Sequence, residues 1–208
     1  MAELAVLDKL KPVLEEGQSA RTIEFTEEEQ KIVKSLFLLT SKPVLYVANV
    51  DEDTVADPDS NEYVQTVRNF AASEHSEVIV VCAEAEEEIA ELDDEDKAEF
   101  LEAMGIEESG LDQLIRTAYD LLGLATYFTA GEQEVRAWTF RKGTKAPQAA
   151  GIIHTDFERG FIRAETVSFD DLDKYGSMHA AKEAGRVRLE GKDYVVQDGD
   201  VMLFRFNV

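Results

Sequence analysis

The spacing of hydrophobic residues predicts two helices at the start of the chain. Residues 2–16 carry leucines and valines at helical spacing, and Gly17 ends that segment. A second amphipathic segment follows Thr26. Thr26 with Glu29 three residues later has the sequence pattern of a capping box, which predicts that the second helix begins after Thr26. Two such helices joined by a short loop predict a helical hairpin.

Two short apolar runs predict neighbouring strands of a parallel sheet. The first lies within Lys42–Glu52 and stops at Asn49, and the second covers Val78–Ala83. Both are rich in β-branched residues and neither alternates with polar residues. We therefore expect buried strands whose two faces are both covered by helices.

Three further segments have helical spacing, namely residues 61–73, 84–108 and 110–122. In the first, we expect Tyr63, Val64, Val67 and Phe70 to point inward. The second is acidic and predicts a solvated helical face. The third has its apolar residues on one side and is followed by Gly123, a candidate C-cap.

From about Leu124 the spacing changes to the alternation of half-buried strands. The predicted strands are residues 125–128, 134–140, 160–168, 187–190, 192–195 and 201–207, with a short helix or turn over residues 148–153. Several short strands with one or two short helices are typical of a β-grasp-like α+β domain. The predicted class is therefore α/β followed by α+β.

Charge separates the same two regions. The chain has 208 residues and a formal net charge of -23. Residues 124–208 contain 12 Lys and Arg against 13 Asp and Glu, which leaves 9 basic and 31 acidic residues in the first 123. An acidic region repels nucleic acid, so any RNA contact is expected in the near-neutral C-terminal part.

Other features narrow the class of protein. Cys82 is the single cysteine, which excludes an internal disulfide and a Cys-rich zinc site. The sequence has no long apolar span and no signal-peptide pattern, so we expect no membrane partner and a cytoplasmic location. We expect Cys82 to be a small buried residue, because no histidine or asparagine near it marks a relay.

The residues Asn49-Val50-Asp51-Glu52 follow the first predicted strand. In open α/β sheets the ligand crevice lies at the carboxyl ends of the strands. A polar loop that caps the next helix is the alternative interpretation of these four residues. The motif resembles the base-recognition loop of the YchF subfamily of Obg-type P-loop NTPases. Most of their relatives have Asn-Lys-x-Asp there, and the YchF subfamily prefers ATP.

The resemblance extends along the whole chain. Residues 126–165, beginning Thr-Tyr-Phe-Thr, and the ending GKDYVVQDGDVMLFRFNV are similar to the C-terminal TGS domain of that family. The resemblance implies that the chain has three parts: residues 1–39 as part of a coiled-coil arm, 40–123 as the C-terminal half of a Rossmann-like NTPase domain, and 124–208 as a TGS domain. It also implies that Asn49, Val50 and Glu52 contact the base, supported by the backbone of Cys82 and Ala83.

A P-loop of the form Gly-x4-Gly-Lys-Ser/Thr is absent from the 208 residues. Its backbone and lysine hold the phosphates, and phosphoryl transfer depends on those contacts and on Mg²⁺. We therefore predict no catalytic residue, no metal ligand, no ATPase activity and only weak ATP binding by this chain. A sheet reduced to two or so strands would also expose an edge, which favours self-association.

A basic cluster in the C-terminal part of the chain points to a second possible function. Arg136, Arg141, Lys142 and Lys145 cluster around one predicted turn, with Trp138 and Phe140 between them. Basic residues interleaved with aromatics are typical of RNA contact, and the family is similar to ribosome-associated factors. A solvated turn beside core aromatics is the alternative. His154 is interpreted as a hydrogen-bonded structural residue, because nothing near it completes a relay or metal site.

Overall fold

The computed structural model describes residues 2–131 and 134–207. These residues form two compact units that divide between Leu121 and Leu122. None of the described helices is both long and apolar enough to cross a membrane.

The first unit is mainly helical around a small sheet. Its helices are α1 (Ala2–Glu15), α2 (Glu27–Ser35), α3 (Glu52–Val55), α4 (Glu62–Ser73), α5 (Ala83–Glu91), α6 (Asp94–Met104) and α7 (Gly110–Leu121). Short 3-10 turns lie at Ala20–Thr22, Leu39–Ser41 and Pro58–Ser60. Strands β1 (Leu45–Asn49) and β2 (Glu77–Val81) pair in parallel, with Leu45 opposite Glu77 and Asn49 opposite Val81.

The first two helices pack through Val6 and Leu10 of α1 and Val33 of α2. The predicted capping box is confirmed: the Thr26 hydroxyl accepts from the Glu29 backbone N–H at 3.3 Å, and the Glu29 carboxylate accepts from the Thr26 N–H at 3.0 Å. Leu4 is 63% exposed, so the apolar stripe of α1 is wider than its contact with α2.

The expectation that β1 is covered on both faces is wrong. None of its five residues is buried, and Val47 is 48% exposed. Helices α4 and α7 both pack against β2, and α4 also packs against β1. A strand is buried on both faces only where layers lie on both sides. The apolar run of β1 therefore exceeds the cover that the described part of the unit supplies.

Two helical predictions also need correction. In α4, Val64 is buried as expected, but Tyr63 and Phe70 are exposed at 75% and 55%. The acidic stretch is two helices rather than one. Helix α5 ends at Glu91, and the Asp93 side chain accepts from the Asp96 N–H at 3.1 Å to begin α6. Aspartate is a strong N-cap residue, so it restarts the helix.

The second unit is a five-stranded sheet with helices on both faces. Its strands are β3 (Leu124–Ala130), β4 (Val135–Arg141), β5 (Phe161–Ser168), β6 (Arg188–Glu190) and β7 (Asp200–Phe206). Its helices are α8 (Ala146–Ile153), α9 (Thr155–Arg159), α10 (Phe169–Tyr175) and α11 (Met178–Glu183). The strand order is β4-β3-β7-β5-β6, and the neighbours are antiparallel except β3 and β7, which are parallel.

The two faces of this sheet differ. One face carries Tyr127, Phe140 and Phe204 into a core with the alanines of α8. The buried Tyr127 hydroxyl donates to the Ala149 carbonyl at 2.9 Å, which satisfies its only polar atom inside that core. On the other face Val167 and Val201 pack against α11, and the rest of that face is more open.

The predicted strand at residues 192–195 is wrong, since only a single bridge joins Val195 to Lys145. The segment is organised instead by the buried carboxylate of Asp200. It accepts from the Tyr194 hydroxyl at 2.7 Å, the Gln197 N–H at 2.9 Å and the Arg188 guanidinium at 3.1 Å. The backbone of the segment pairs only locally with residues 144–146, through the Tyr194 carbonyl and the Val196 N–H, and Asp200 satisfies the Gln197 N–H.

Candidate functional site

The carboxyl ends of β1 and β2 lie side by side. Asn49 is opposite Val81, and the Val50 N–H donates to the Val81 carbonyl at 2.9 Å. The loops that leave the two strands, residues 49–52 and 82–83, therefore start from adjacent points. This is the edge of an α/β sheet at which ligands bind.

Asn49 joins the two loops through its side chain. Its Oδ1 accepts from the Ala83 N–H at 2.9 Å. Ala83 begins helix α5, and Cys82 at the N-cap position makes no side-chain cap, so Asn49 supplies that cap. An N–H can only donate, so the amide oxygen of Asn49 faces Ala83. Its NH₂ group is left as a donor on an exposed residue.

The two acidic residues of the motif have different surroundings. The Asp51 carboxylate accepts from the Thr54 N–H at 2.9 Å and is the N-cap of α3. Glu52 is the first residue of that helix and is exposed. Both residues are exposed, but Asp51 is engaged as the cap of the helix and Glu52 is not.

The five residues predicted to contact a base or support it lie at this one end of the sheet: Asn49, Val50 and Glu52 on the first loop, and Cys82 and Ala83 on the second. Cys82 is buried at 3% exposure, as expected for a small packed residue, so the groups that Cys82 and Ala83 offer are backbone ones. The edge combines an amide donor, a carboxylate acceptor and the half-buried apolar Val50. These groups suit a planar heterocycle that carries both an acceptor and an amino donor.

The same edge is poorly suited to phosphate. Residues 49–60 and 82–91 contain no Lys or Arg, and they include several carboxylates. A triphosphate needs cationic side chains or a nest of backbone N–H groups. The loops described here can contact a base but offer no cation to the phosphates.

A polar network that spacing did not predict lies near the other end of β1. The Glu74 carboxylate accepts from the Ser19 hydroxyl at 2.5 Å, the Tyr46 hydroxyl at 2.8 Å and the Arg21 guanidinium at 3.0 Å. Arg21 Nε also donates to the Lys42 carbonyl at 2.9 Å. These contacts lower the pKa of Glu74. The hydrogen bond from Ser19 contributes most, followed by the one from Tyr46, and Arg21 adds a further contribution. The same Glu74 contact raises the pKa of Tyr46.

This network ties the helical hairpin to the strand that carries Asn49. Its members come from the loop after α1, from β1 and from the end of α4. No periodic pattern links residues so far apart in sequence, so the network could be found only from the fold. The Arg21 and Glu74 side chains are 15% and 12% exposed, which limits solvent screening of the pair.

The predicted basic cluster does not form one patch. The Arg136 guanidinium lies 4.1 Å from the centroid of the Trp138 ring. Because side chains alternate along β4, Arg141 lies on the opposite face from Arg136. Lys145 pairs with Asp193 at 2.8 Å, and that hydrogen bond lowers the pKa of Asp193. Lys142 follows the strand, and its backbone N–H donates to the Gly123 carbonyl at 2.8 Å.

His154 has the structural role that we predicted. Its Nδ1 accepts from the Asp156 N–H at 3.2 Å and caps α9. Within the described residues, no group of three or more His, Cys, Asp or Glu side chains is arranged to hold a metal ion.

Comparison with known proteins gives consistent matches. Residues 124–207 match a family model named YchF-GTPase_C, described as a protein of unknown function (DUF933). Over 206 residues the chain is 69% identical to the ribosome-binding ATPase YchF of Bacillus subtilis, covering 99% of this chain and 56% of that protein. It is 55% identical over 206 residues to the protein of the same name in Haemophilus influenzae, again covering 99% of this chain and 56% of the other.

A solved structure agrees in fold. The structure of the Schizosaccharomyces pombe YchF GTPase superposes with a TM-score of 0.84 at 37% identity, covering 97% of this chain and 53% of that one. The chain thus spans about half the length of the curated relatives it matches. The bacterial relatives are named ATPases and the yeast protein a GTPase, so the names of the relatives differ on the nucleotide.

Proposed function

The chain belongs to the YchF family of Obg-type NTPases, and from that premise we propose that it carries the base-recognition part of a ribosome-associated, ATP-binding P-loop NTPase. The observation that carries this proposal is the Asn49–Ala83 hydrogen bond, which joins the two loops where a base would lie. The mixed α/β fold and the relatives' names support it.

In this proposal each residue at the strand ends has one role. The Asn49 NH₂ group donates to a ring nitrogen of the purine, because its oxygen is held by Ala83. Val50 supplies an apolar contact to the ring. The Glu52 carboxylate accepts from the exocyclic amino group of adenine, which is a donor that guanine does not present at that position.

Hydrolysis is not expected from this chain alone. The phosphates and the Mg²⁺ ion need groups that the loops described above do not supply. Bound ATP would supply the reactive phosphate, and these residues would hold and orient only its base. We therefore expect no ATP hydrolysis above a control without protein and a weak, base-directed affinity.

The role of Glu52 is tested by nucleotide binding to the chain and to its Glu52→Asp and Glu52→Gln variants. We expect millimolar ATP to shift the amide resonances of residues 49–52 and 83 more than equal GTP does. Glu52→Gln should remove most of that preference, since a hydrogen-bonded charge is worth about 1.5–3 kcal/mol. Asp53→Asn, next to Glu52 and exposed, is the matched control. An unchanged preference in both Glu52 variants would remove Glu52 from the role.

A second candidate function is RNA or ribosome binding through the C-terminal unit, which we assign to a TGS domain with a β-grasp-like sheet. The stacking of Arg136 on Trp138 favours it, because an exposed guanidinium on an aromatic ring presents a charged, planar surface to RNA. Co-sedimentation of the chain with ribosomes in low and raised salt is the test, because phosphate contacts weaken steeply with salt. Equal sedimentation at both salt concentrations would contradict it.

Two smaller expectations complete the proposal. We place the protein in the cytoplasm, where ribosomes are its partner.

We also expect self-association at high concentration through the side of β1 that does not face β2, because an unpaired strand edge offers backbone hydrogen bonds to a second chain. Sedimentation velocity over a range of protein concentrations measures that association.

A further inference from the structure

Two arginines lie directly opposite each other on the open face of the C-terminal sheet. Arg163 of β5 and Arg205 of β7 are register partners, and both are exposed. Like charges directly opposite on neighbouring strands destabilise a sheet. The arrangement therefore costs stability unless an anion balances it.

One carboxylate balances part of this charge. The Glu165 Oε1 atom lies 2.9 Å from both Nε and Nη2 of Arg205 and accepts a hydrogen bond from this guanidinium. The ammonium group of Lys182, in α11, lies 3.8 Å from Oε2 of Glu165. The Arg205 hydrogen bond is the main cause of a lowered pKa for Glu165, with charge contributions from Lys182 and Arg163. Among the described residues, no carboxylate lies within ion-pair distance of Arg163. Three cations thus share one carboxylate.

An apolar groove lies beside these cations. It has a volume of about 640 Å³ and runs between α11 and the sheet. It is lined by Met178, Leu203 and Ala130, and also by Glu165 and Lys182. Leu203 is 40% exposed, so apolar surface and positive charge meet on one open face. We name this surface, formed by Arg163, Arg205, Lys182 and the groove, the β5–β7 face.

We propose that the β5–β7 face binds a single strand of RNA, with phosphates on Arg163, Arg205 and Lys182 and a base against the groove. The proposal rests on the second function above and assigns it to a surface other than the Arg136–Lys145 segment. Guanidinium groups bind phosphate through two parallel hydrogen bonds, and no hydrogen-bond partner of the Arg163 side chain lies among the residues that the structure describes. The apolar wall, with the polarisable Met178, suits the flat face of any base. An acidic peptide would match the charge but would not use the groove in this way.

The test measures binding of a fluorescein-labelled 12-nucleotide single-stranded RNA to the full chain by anisotropy, between 50 and 200 mM salt. The test variant is Arg163→Gln/Lys182→Gln, which leaves the Arg205–Glu165 pair in place. The matched control is Arg159→Gln/Lys192→Gln, which removes one exposed arginine and one exposed lysine elsewhere in the same unit. Thermal melts establish that both variants are folded.

We expect the test variant to bind RNA roughly tenfold more weakly at 50 mM salt and to lower the salt slope by about 1.4, the value for two lost phosphate contacts on a single strand. The control should stay within about twofold. Equal weakening of both variants would overturn the assignment to this face while leaving RNA binding by the unit intact. No RNA binding by the parent chain would overturn the second function itself. Binding of a labelled polyglutamate peptide in place of RNA, lost in the test variant, would identify an acidic protein partner and also overturn the proposal.

Discussion

The two units of this molecule bury their hydrophobic residues to very different extents. In the C-terminal unit, Tyr127 and Met202 are completely or almost completely buried, and aromatic rings pack around them. In the N-terminal unit the buried cluster of the hairpin is small, and Phe37 and Leu39 are exposed at 89% and 78%. Both units expose some large apolar side chains, but only the C-terminal unit buries a large aromatic core.

This difference indicates which interactions stabilise each unit. A closed core stabilises in proportion to the apolar area that it removes from water. The N-terminal unit relies more on individual polar contacts, such as the capping box at Thr26 and the Glu74 network. We therefore expect the two units to respond differently to mutation.

The largest expected effect is in the aromatic core of the C-terminal unit. Phe204→Ala removes a ring that contacts Tyr127 and Phe161 at centroid distances of 5.8 and 6.2 Å. We expect it to lower the free energy of unfolding of that unit by about 3–5 kcal/mol. Trp138 is the only tryptophan and lies in this unit, so urea unfolding followed by its fluorescence measures the effect there.

The matched substitution in the other unit is Phe70→Ala, because Phe70 is a phenylalanine with 55% of its surface exposed. It should leave the Trp138 transition in place and change stability by well under half as much, since little area is returned to water. A loss of equal size from Phe70→Ala would contradict the contrast between a closed core and an open one.

Local patterns predicted the individual elements well. The capping box located the start of α2, and the change to alternating residues near Leu124 located the β-rich unit. These features depend on neighbours a few residues apart, which the sequence displays directly. The start of α4 after Asn61 is a further example, since the Asn61 side chain accepts from the Tyr63 N–H.

Features that depend on distant residues could not be predicted in this way. An apolar run indicates that a strand can be buried, but only the other layers decide whether it is, and Val47 is exposed. The Arg163–Arg205 pair follows from strand register, which brings together residues 42 positions apart. Asn49 and Ala83 were each predicted from the sequence to lie at the site. That they are joined by a hydrogen bond follows from the parallel pairing of β1 and β2, which the sequence does not display.

A smaller effect is expected at the Glu74 network, and it sharpens the contrast through pH. Glu74→Gln keeps the shape of the side chain but removes the charge that Arg21 and two hydroxyls contact. We expect a loss of about 1–3 kcal/mol in the N-terminal unit at pH 7. Hydrogen exchange of the β1 and β2 amides measures it, with the exposed Glu87→Gln as the control.

The sign of the pH dependence follows from the lowered pKa of Glu74. Its usual value is 4.5, so the stabilisation is complete above that pH and is lost as the pH falls through the lower folded-state value. The advantage of the parent chain over Glu74→Gln should therefore shrink below about pH 4.5. The same advantage at pH 3 as at pH 7 would show that the charge of Glu74 is not what stabilises the network.

The smallest expected effect is at the N-terminus of α2, and it tests how far the hairpin depends on local structure. Thr26→Ala removes the hydroxyl that accepts from Glu29 and leaves one backbone N–H without its cap, so we expect a loss of about 1 kcal/mol. Thr26→Ser keeps that oxygen and should stay within about 0.5 kcal/mol of the parent. Far-UV circular dichroism in urea measures the helical transition, while Trp138 fluorescence reports on the other unit and should not change. If Thr26→Ala instead moved the Trp138 transition by as much as the helical one, the two units would unfold in one cooperative transition. The stability of the hairpin would then not depend on its own cap and packing alone.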